Sequence, residues 1–156
     1  MVVVADTSPV NYLILIGEIA ILPRLYTRIL IPPAVFEELK HPSAPELVRH
    51  WAAYPPDWLE VLTPQRSVNI PELDLGESEA IALADELNAE VLIIDEMAGR
   101  QEATRRGLKV AGTLSVLDEA DQAGLADFGA AVARLRQTSF RVSASVLAAI
   151  EERRSR

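Results

Sequence analysis

Short, wholly apolar runs alternate along the chain with longer stretches in which apolar positions recur every three or four residues. VVVA at 2–5, RILI at 28–31 after its leading Arg28, and VLII at 91–94 are β-branched or aliphatic and too short for helices, as buried strands are. WLEVL at 58–62 and KVAG at 109–112 read as further short strands. The first helix is expected to start near Pro9, a favoured first-turn residue, with Ser8 or Thr7 as its cap and Gly17 as its end. IAILPRLY predicts a short helix, PPAVFEELK a helix led by proline, and residues 44–54 another that Pro55-Pro56 stop. Residues 63–73, with Pro64 and Pro71, read as a loop, after which Asp74 opens the helix DLGESEAIALADELN. A helix ending near Gly107 follows VLII, TLSVLDEADQAG forms the next, and residues 127–137 and 143–154 form two more. The last has a serine at its start and an apolar face of Val142, Val146, Leu147 and Ile150.

Alternating β and α units imply an α/β fold, a parallel sheet covered by helices on both faces. The whole chain, 1–156, reads as a single domain, with 127–156 as C-terminal helices packing on it or contacting a partner. In such sheets ligands gather outside the carboxyl ends of the strands. Asp6 directly follows VVVA and Asp95 directly follows VLII, so both fall there.

Composition narrows the chemistry. The 156 residues are 49% hydrophobic, enough for a proper core, without a window long and apolar enough to span a membrane. The N-terminal stretch lacks the basic flank and cleavage site of a signal peptide. There are no cysteines, which excludes disulfides and thiolate zinc sites and fits a cytoplasmic address. With His41 and His50 the only histidines, a metal site would be built mainly from oxygen ligands, favouring Mg²⁺ or Mn²⁺ over zinc. The net charge of −8 is uneven: residues 1–99 carry 5 basic and 16 acidic side chains, residues 100–156 carry 10 basic and 7 acidic. That split suits a metal site beside a phosphate-binding surface, and equally suits ordinary solvated helix faces.

Each carboxylate has a plainer alternative. Asp6 suits helix capping as well as function, with Ser8 competing for the cap. Two strand ends carrying carboxylates are harder to dismiss, because facing acids repel unless a cation or proton sits between them. In PPAVFEELK, Val35, Phe36 and Leu39 mark the buried face; Glu38 flanks it, whereas Glu37 points to solvent. Glu77 and Glu79 lie about 200° apart on their helix, so both are not expected at one ion. Asp74-x-x-Glu77 matches a capping box, which favours Glu79 at the metal and Glu77 as a cap or supporting residue.

Asp6, Glu38, Glu79 and Asp95, in that order on those elements, resemble the acids of the PIN-domain nucleases. The resemblance is closest to the compact PIN-domain-like toxins. ADTSPVNYLILIG, IPPAVFEELK, LGESEAIALA and LIIDEMAGRQEATRRGLKVAGTLSVL carry it, over roughly residues 2–125. It implies a three-layer α/β/α sandwich, commonly dimeric, and a Mg²⁺- or Mn²⁺-dependent ribonuclease, in many relatives the toxin neutralised by a small antitoxin. Carried over, Asp6, Glu38 and Asp95 form an acidic pocket and Glu79 replaces a more usual aspartate. Glu96 shares or supplies the ligand after the third long strand, and Arg100 matches a basic position suited to phosphate.

The residues suit that chemistry on their own terms. Converging carboxylates need cations to ionise together, and a divalent ion acidifies the water that attacks a phosphodiester. Thr7 or Ser8 supplies a hydroxyl to orient such a water. Arg105 and Arg106 read as helix C-terminal charges; with Arg100 and Lys109 they form the densest basic cluster. Trp51, Tyr54 and Trp58 suit base stacking, but core or dimer contacts are the preferred reading. Phosphoacceptor folds fit poorly: Ser8 stands where a dehalogenase-like phosphatase needs a second aspartate, and a receiver needs an acid pair where Asp6 is single. The remaining alternative is a non-catalytic nucleic-acid- or protein-binding module that retains the fold.

Overall fold

A computed structural model of the protein describes residues 1–66 and 69–156. The chain runs β1 (Val3–Ala5), α1 (Thr7–Leu15), α2 (Ile21–Tyr26), β2 (Ile29–Ile31), α3 (Pro33–Lys40), α4 (Glu46–Ala53) and β3 (Leu59–Val61). It continues α5 (Leu75–Glu86), β4 (Val91–Ile93), α6 (Met97–Arg105), β5 (Val110–Ala111), α7 (Thr113–Gln122), α8 (Phe128–Leu135) and α9 (Ala144–Arg154). Every strand pairing is parallel, and the order across the sheet is β3-β2-β1-β4-β5. The order reverses between β1 and β4, so the crevice where an α/β sheet binds its ligand opens at their carboxyl ends.

The period-two alternation of strand side chains builds the three layers. Val3, Ala5, Ile29, Ile31, Val91 and Ile93 point to one face and share a buried cluster with residues of α1–α4 and α7–α9. Val4 and Leu92 point to the other face, onto Ala80, Ile81, Leu83 and Ala84 of α5 and Ala103 of α6. No described helix is long and apolar enough to cross a membrane.

Element boundaries moved where side chains had better partners. The first helix begins at Thr7, with Asp6 at the cap position in extended conformation (ψ 172°) and no side-chain cap bond. The expected Ser8 or Thr7 cap is therefore corrected: both lie inside the first turn and donate to carboxylates, stronger acceptors than a backbone carbonyl. At the other end Gly17 takes φ 78°, and the N–H groups of Gly17 and Glu18 close on Ile14 and Leu13, the left-handed stop that glycine favours. KVAG contributes only Val110 and Ala111 to the sheet. The expected loop 63–73 carries no strand or helix where it is described; its residues 67 and 68 lie outside the described residues.

The last two helices return to the core through Phe128, Ala131, Leu135 and Ile150. Arg154 clamps α9 to α7, its guanidinium donating to Asp118 at 2.7 Å and Asp121 at 3.1 Å while lying over the Phe128 ring. Asp118 is only 3% exposed, so removing its cation leaves a buried carboxylate held by Gln122 and the more distant Arg153. Arg154→Ala is accordingly expected to loosen α9, seen as faster trypsin cleavage after Arg141 and lost amide protection over 144–154 while 1–135 keeps its protection.

Candidate active site

A cleft of about 610 Å³ opens at the crevice between β1 and β4, and six carboxylates line it: Asp6, Glu38, Asp74, Glu77, Asp95 and Glu96. Asp6 is the least exposed of them at 4%, and the hydrogen bond from its own N–H to the Ile93 carbonyl (2.9 Å) carries on the β1–β4 ladder. Its Oδ1 is buried and has no hydrogen-bond partner among the described residues. Burial pushes the Asp6 carboxyl up to about 8; Glu77, Asp74 and Glu38 push the same way, against the pull of the Thr7 backbone N–H. At neutral pH this carboxyl holds a proton unless a cation replaces it.

Glu38 reaches the cleft from α3 and accepts a short hydrogen bond from the Thr7 hydroxyl. Its pKa is raised by burial and by Asp74, with the Thr7 and Gly76 hydrogen bonds opposing. A Cβ on Gly76 would stand 2.5 Å from Glu38 Oε1, so this close approach of α5 to the carboxylate needs glycine. Glu37, its neighbour, is exposed and pairs with Lys40 at 3.2 Å.

On α5 the structure places Glu77 in the cleft lining and Glu79, the glutamate expected at the metal, outside it. Glu77, 8% exposed, lines the cleft while completing the capping box: its N–H donates to Asp74 Oδ1 (2.8 Å) and the Asp74 N–H to its Oε1 (3.0 Å). Burial again raises its pKa, the charges of Asp74 and Glu96 adding to the effect and the Asp74 N–H hydrogen bond opposing it. Glu79 lies outside the cleft lining, and its Oε1 accepts from the Ala34 N–H at 3.0 Å. That contact serves the first turn of α3, whose cap position is Pro32 and offers no side-chain acceptor. Asp74, read from sequence only as a cap, also faces the cleft, and the sole local hint was its place three residues before Glu77.

Asp95 is well satisfied. Thr113 donates to it through its N–H and its hydroxyl, both at 2.7 Å, and Ser8 through its hydroxyl at 3.1 Å. These bonds tie the end of β4 to α1 and to the first turn of α7, where Gly112 has no capping side chain. Burial raises the Asp95 pKa against those hydrogen bonds and the charge of Arg100. Sequence reasoning missed Thr113, which is fully buried; nothing local links positions 95 and 113. Glu96 is exposed at the cap position of α6, and Arg100 lines the cleft beside Asp95. A Cβ on Gly112 would lie 2.9 Å from Arg100 Nη1 and 3.0 Å from Asp95 Oδ1.

The other sequence candidates stand elsewhere. Arg105 and Arg106 pair with Glu102, and Arg106 also with Asp85 (3.2 Å). Trp51 and Trp58 pack together against the core with ring centres 5.9 Å apart, while Tyr54 is 76% exposed.

The donor set fits a hard divalent cation in one respect above all, the unpartnered buried oxygen of Asp6 among carboxylates that raise one another's pKa. As placed, no three of the described acidic or histidine side chains converge closely enough to hold one ion. Glu38 and Glu77 are drawn off by Thr7 and by the Asp74 box.

No curated protein matches the chain. Its fold is similar to that of a PilT N-terminus domain protein from the hyperthermophilic archaeon Sulfolobus solfataricus P2. That likeness has a TM-score of 0.57 and 19% identity, over 77% of this chain and 93% of that one. A family model described as "DUF3368: PIN domain" matches residues 2–155. PIN domains are generally nucleases, often toxins, and usually use divalent metals. The chain belongs to the PIN-domain family.

Proposed function

We propose that the protein is a Mg²⁺- or Mn²⁺-dependent endoribonuclease that hydrolyses phosphodiester bonds in the acidic cleft. The observation that carries this reading is Asp6: a carboxylate left buried without a partner, at the sheet's switch point, ringed by acids. Asp6, Glu38 and Glu77 would hold the ion, with Asp95 and Glu96 beside them. When bound, it neutralises the carboxylates and makes the attacking water more acidic. Thr7 steadies Glu38, Ser8 and Thr113 fix Asp95, and Arg100 offers its guanidinium to a phosphate oxygen.

The setting we infer is the toxin of a toxin–antitoxin pair, acting in the cytoplasm as a homodimer. The family's general habit supports the toxin role. Exposed apolar side chains beside the edge strand β3, Val61 at 40% and Leu62 at 37%, support self-association. The alternative, a non-catalytic binding module, draws support from the lack of three converging ligands among the described residues. Cleavage of single-stranded RNA by the purified protein with Mg²⁺, with Mn²⁺ and with EDTA decides between them: the nuclease cuts with metal and stops with EDTA, the binding module does neither.

Gly76 gives a sharper prediction. A methyl at that position displaces only the end of the Glu38 side chain, and alanine is the better helix former by about 1 kcal/mol. Gly76→Ala should therefore fold at least as stably by thermal denaturation, yet cleave more slowly by on the order of 10²-fold, the cost of a misplaced functional group.

A further inference from the structure

The acids occupy only part of the cleft. The connection from α8 to α9 turns back to it and adds Phe140, Arg141 and Ser143 to its lining, with Val146 from the first turn of α9 beside them. This segment is fixed at several points. The Tyr12 hydroxyl and Ser139 Oγ share a hydrogen bond of 2.7 Å, and the Phe140 ring meets the Tyr12 ring edge-on with centres 5.0 Å apart. Beyond it, Arg154 anchors α9 through Asp118.

Two arginines face the cleft, and they differ. Arg100 lies close to Gly112 near Asp95, whose carboxyl pKa its charge draws down, without closing a salt bridge among the described residues. Arg141 is exposed and takes part in none of the salt bridges among the described residues. A guanidinium without an anion, held on an anchored segment at the lip of an acid-lined cleft, lacks the partner its planar fork is built to take. A polyanionic substrate supplies one: with one phosphate over the acids, a neighbouring phosphate is best met by a cation, and Arg141 is the cation to hand. Phe140, half-buried beside Tyr12, offers an apolar ring edge next to it. At about 610 Å³ the cleft takes a ligand of drug size, the bulk of a dinucleotide step rather than a double helix.

We propose that the 139–143 segment is a subsite for the strand flanking the cleavage point of single-stranded RNA, Arg141 binding a phosphate and Phe140 packing against the adjoining sugar or base. This rests on the nuclease reading. The test measures binding of a short fluorescein-labelled single-stranded RNA by anisotropy, in Mg²⁺ over a range of salt, on the Asp6→Asn background that blocks cleavage. Adding Arg141→Ala should weaken binding about tenfold, the worth of one charge-assisted contact, and flatten the salt slope by roughly 0.7. Arg136→Ala makes the same charge change on an exposed residue outside the cleft and should alter neither. With Asp6 intact, Arg141→Ala should raise KM and leave kcat unchanged, as lost uniform binding does. Equal losses from Arg141→Ala and Arg136→Ala, or no loss from Arg141→Ala while the wild type still cleaves, would overturn the subsite and leave the nuclease standing. RNA that is neither cleaved by the wild type nor bound by any variant overturns both.

Discussion

Replacing Asp6 by asparagine is expected to yield a protein that is harder to unfold and unable to cleave. In the folded, metal-free protein the Asp6 carboxyl titrates at about 8, against 3.8 for the free side chain. Below 3.8 both folded and unfolded states are protonated and the site costs nothing. As pH rises, the unfolded chain ionises first, so stability drains away through the interval up to about 8 and levels off above it. That interval sets an upper limit of roughly 6 kcal/mol on the loss. Burial also raises the pKa of Glu38, Glu77 and Asp95, so their contributions carry the same sign. Asparagine removes the ionisation, so Asp6→Asn should melt higher than the wild type at pH 8 in EDTA and nearly level with it at pH 4. Added Mg²⁺ or Mn²⁺ should raise the wild-type Tm at pH 8 and leave the variant unmoved, because binding to the folded state alone stabilises it. Cleavage by the variant should fall to the level seen in EDTA. A wild type whose metal-free stability climbs between pH 5 and 8 would contradict the buried-acid account directly.

The second large effect separates Glu77 from Glu79. Glu77→Gln keeps an oxygen for the Asp74 N–H, so the capping box and the fold survive, but the cleft loses a negative charge. Metal affinity, read by titration, should drop by at least the roughly 10–100-fold that even outer partners of a metal are worth, and cleavage should fall with it. Glu79→Gln still accepts from the Ala34 N–H and should change neither. Glu79→Ala should lose about 1 kcal/mol of stability, the worth of a helix cap, with metal affinity intact. The reverse pattern would restore Glu79 to the site and require α5 to turn about its axis.

The layout of the sheet was legible because its long strands are uninterrupted β-branched runs and its helices carry capping residues and glycine stops. Placement of Asp6 and Asp95 at one crevice followed from strand ends alone, and placement of Glu38 rather than Glu37 from helical geometry. The sequence favoured Glu79 over Glu77 because a capping box suggests a carboxylate already engaged, yet Glu77 is the one that lines the cleft. A carboxylate has two oxygens, and Glu77 caps while still facing the cleft. The helix start at Thr7 was hidden because the competing acceptors, Glu38 and Asp95, are remote in sequence. Thr113, Phe140 and Arg141 left no local signal for the same reason: their importance is set by where the chain returns.

The strand order also fixes when the cleft can exist. β1 is made well before β4, but its register with Val91–Ile93 cannot form until β4 has been made, and Asp95 gains Thr113 later still. Pairings this distant in sequence form slowly. A nascent chain stopped short of β4 therefore carries Asp6 and Glu38 without the crevice that unites them. For a protein read as cutting RNA, synthesis beside the message, the transfer RNAs and the ribosome itself must pass β4 before any catalytic hazard is assembled.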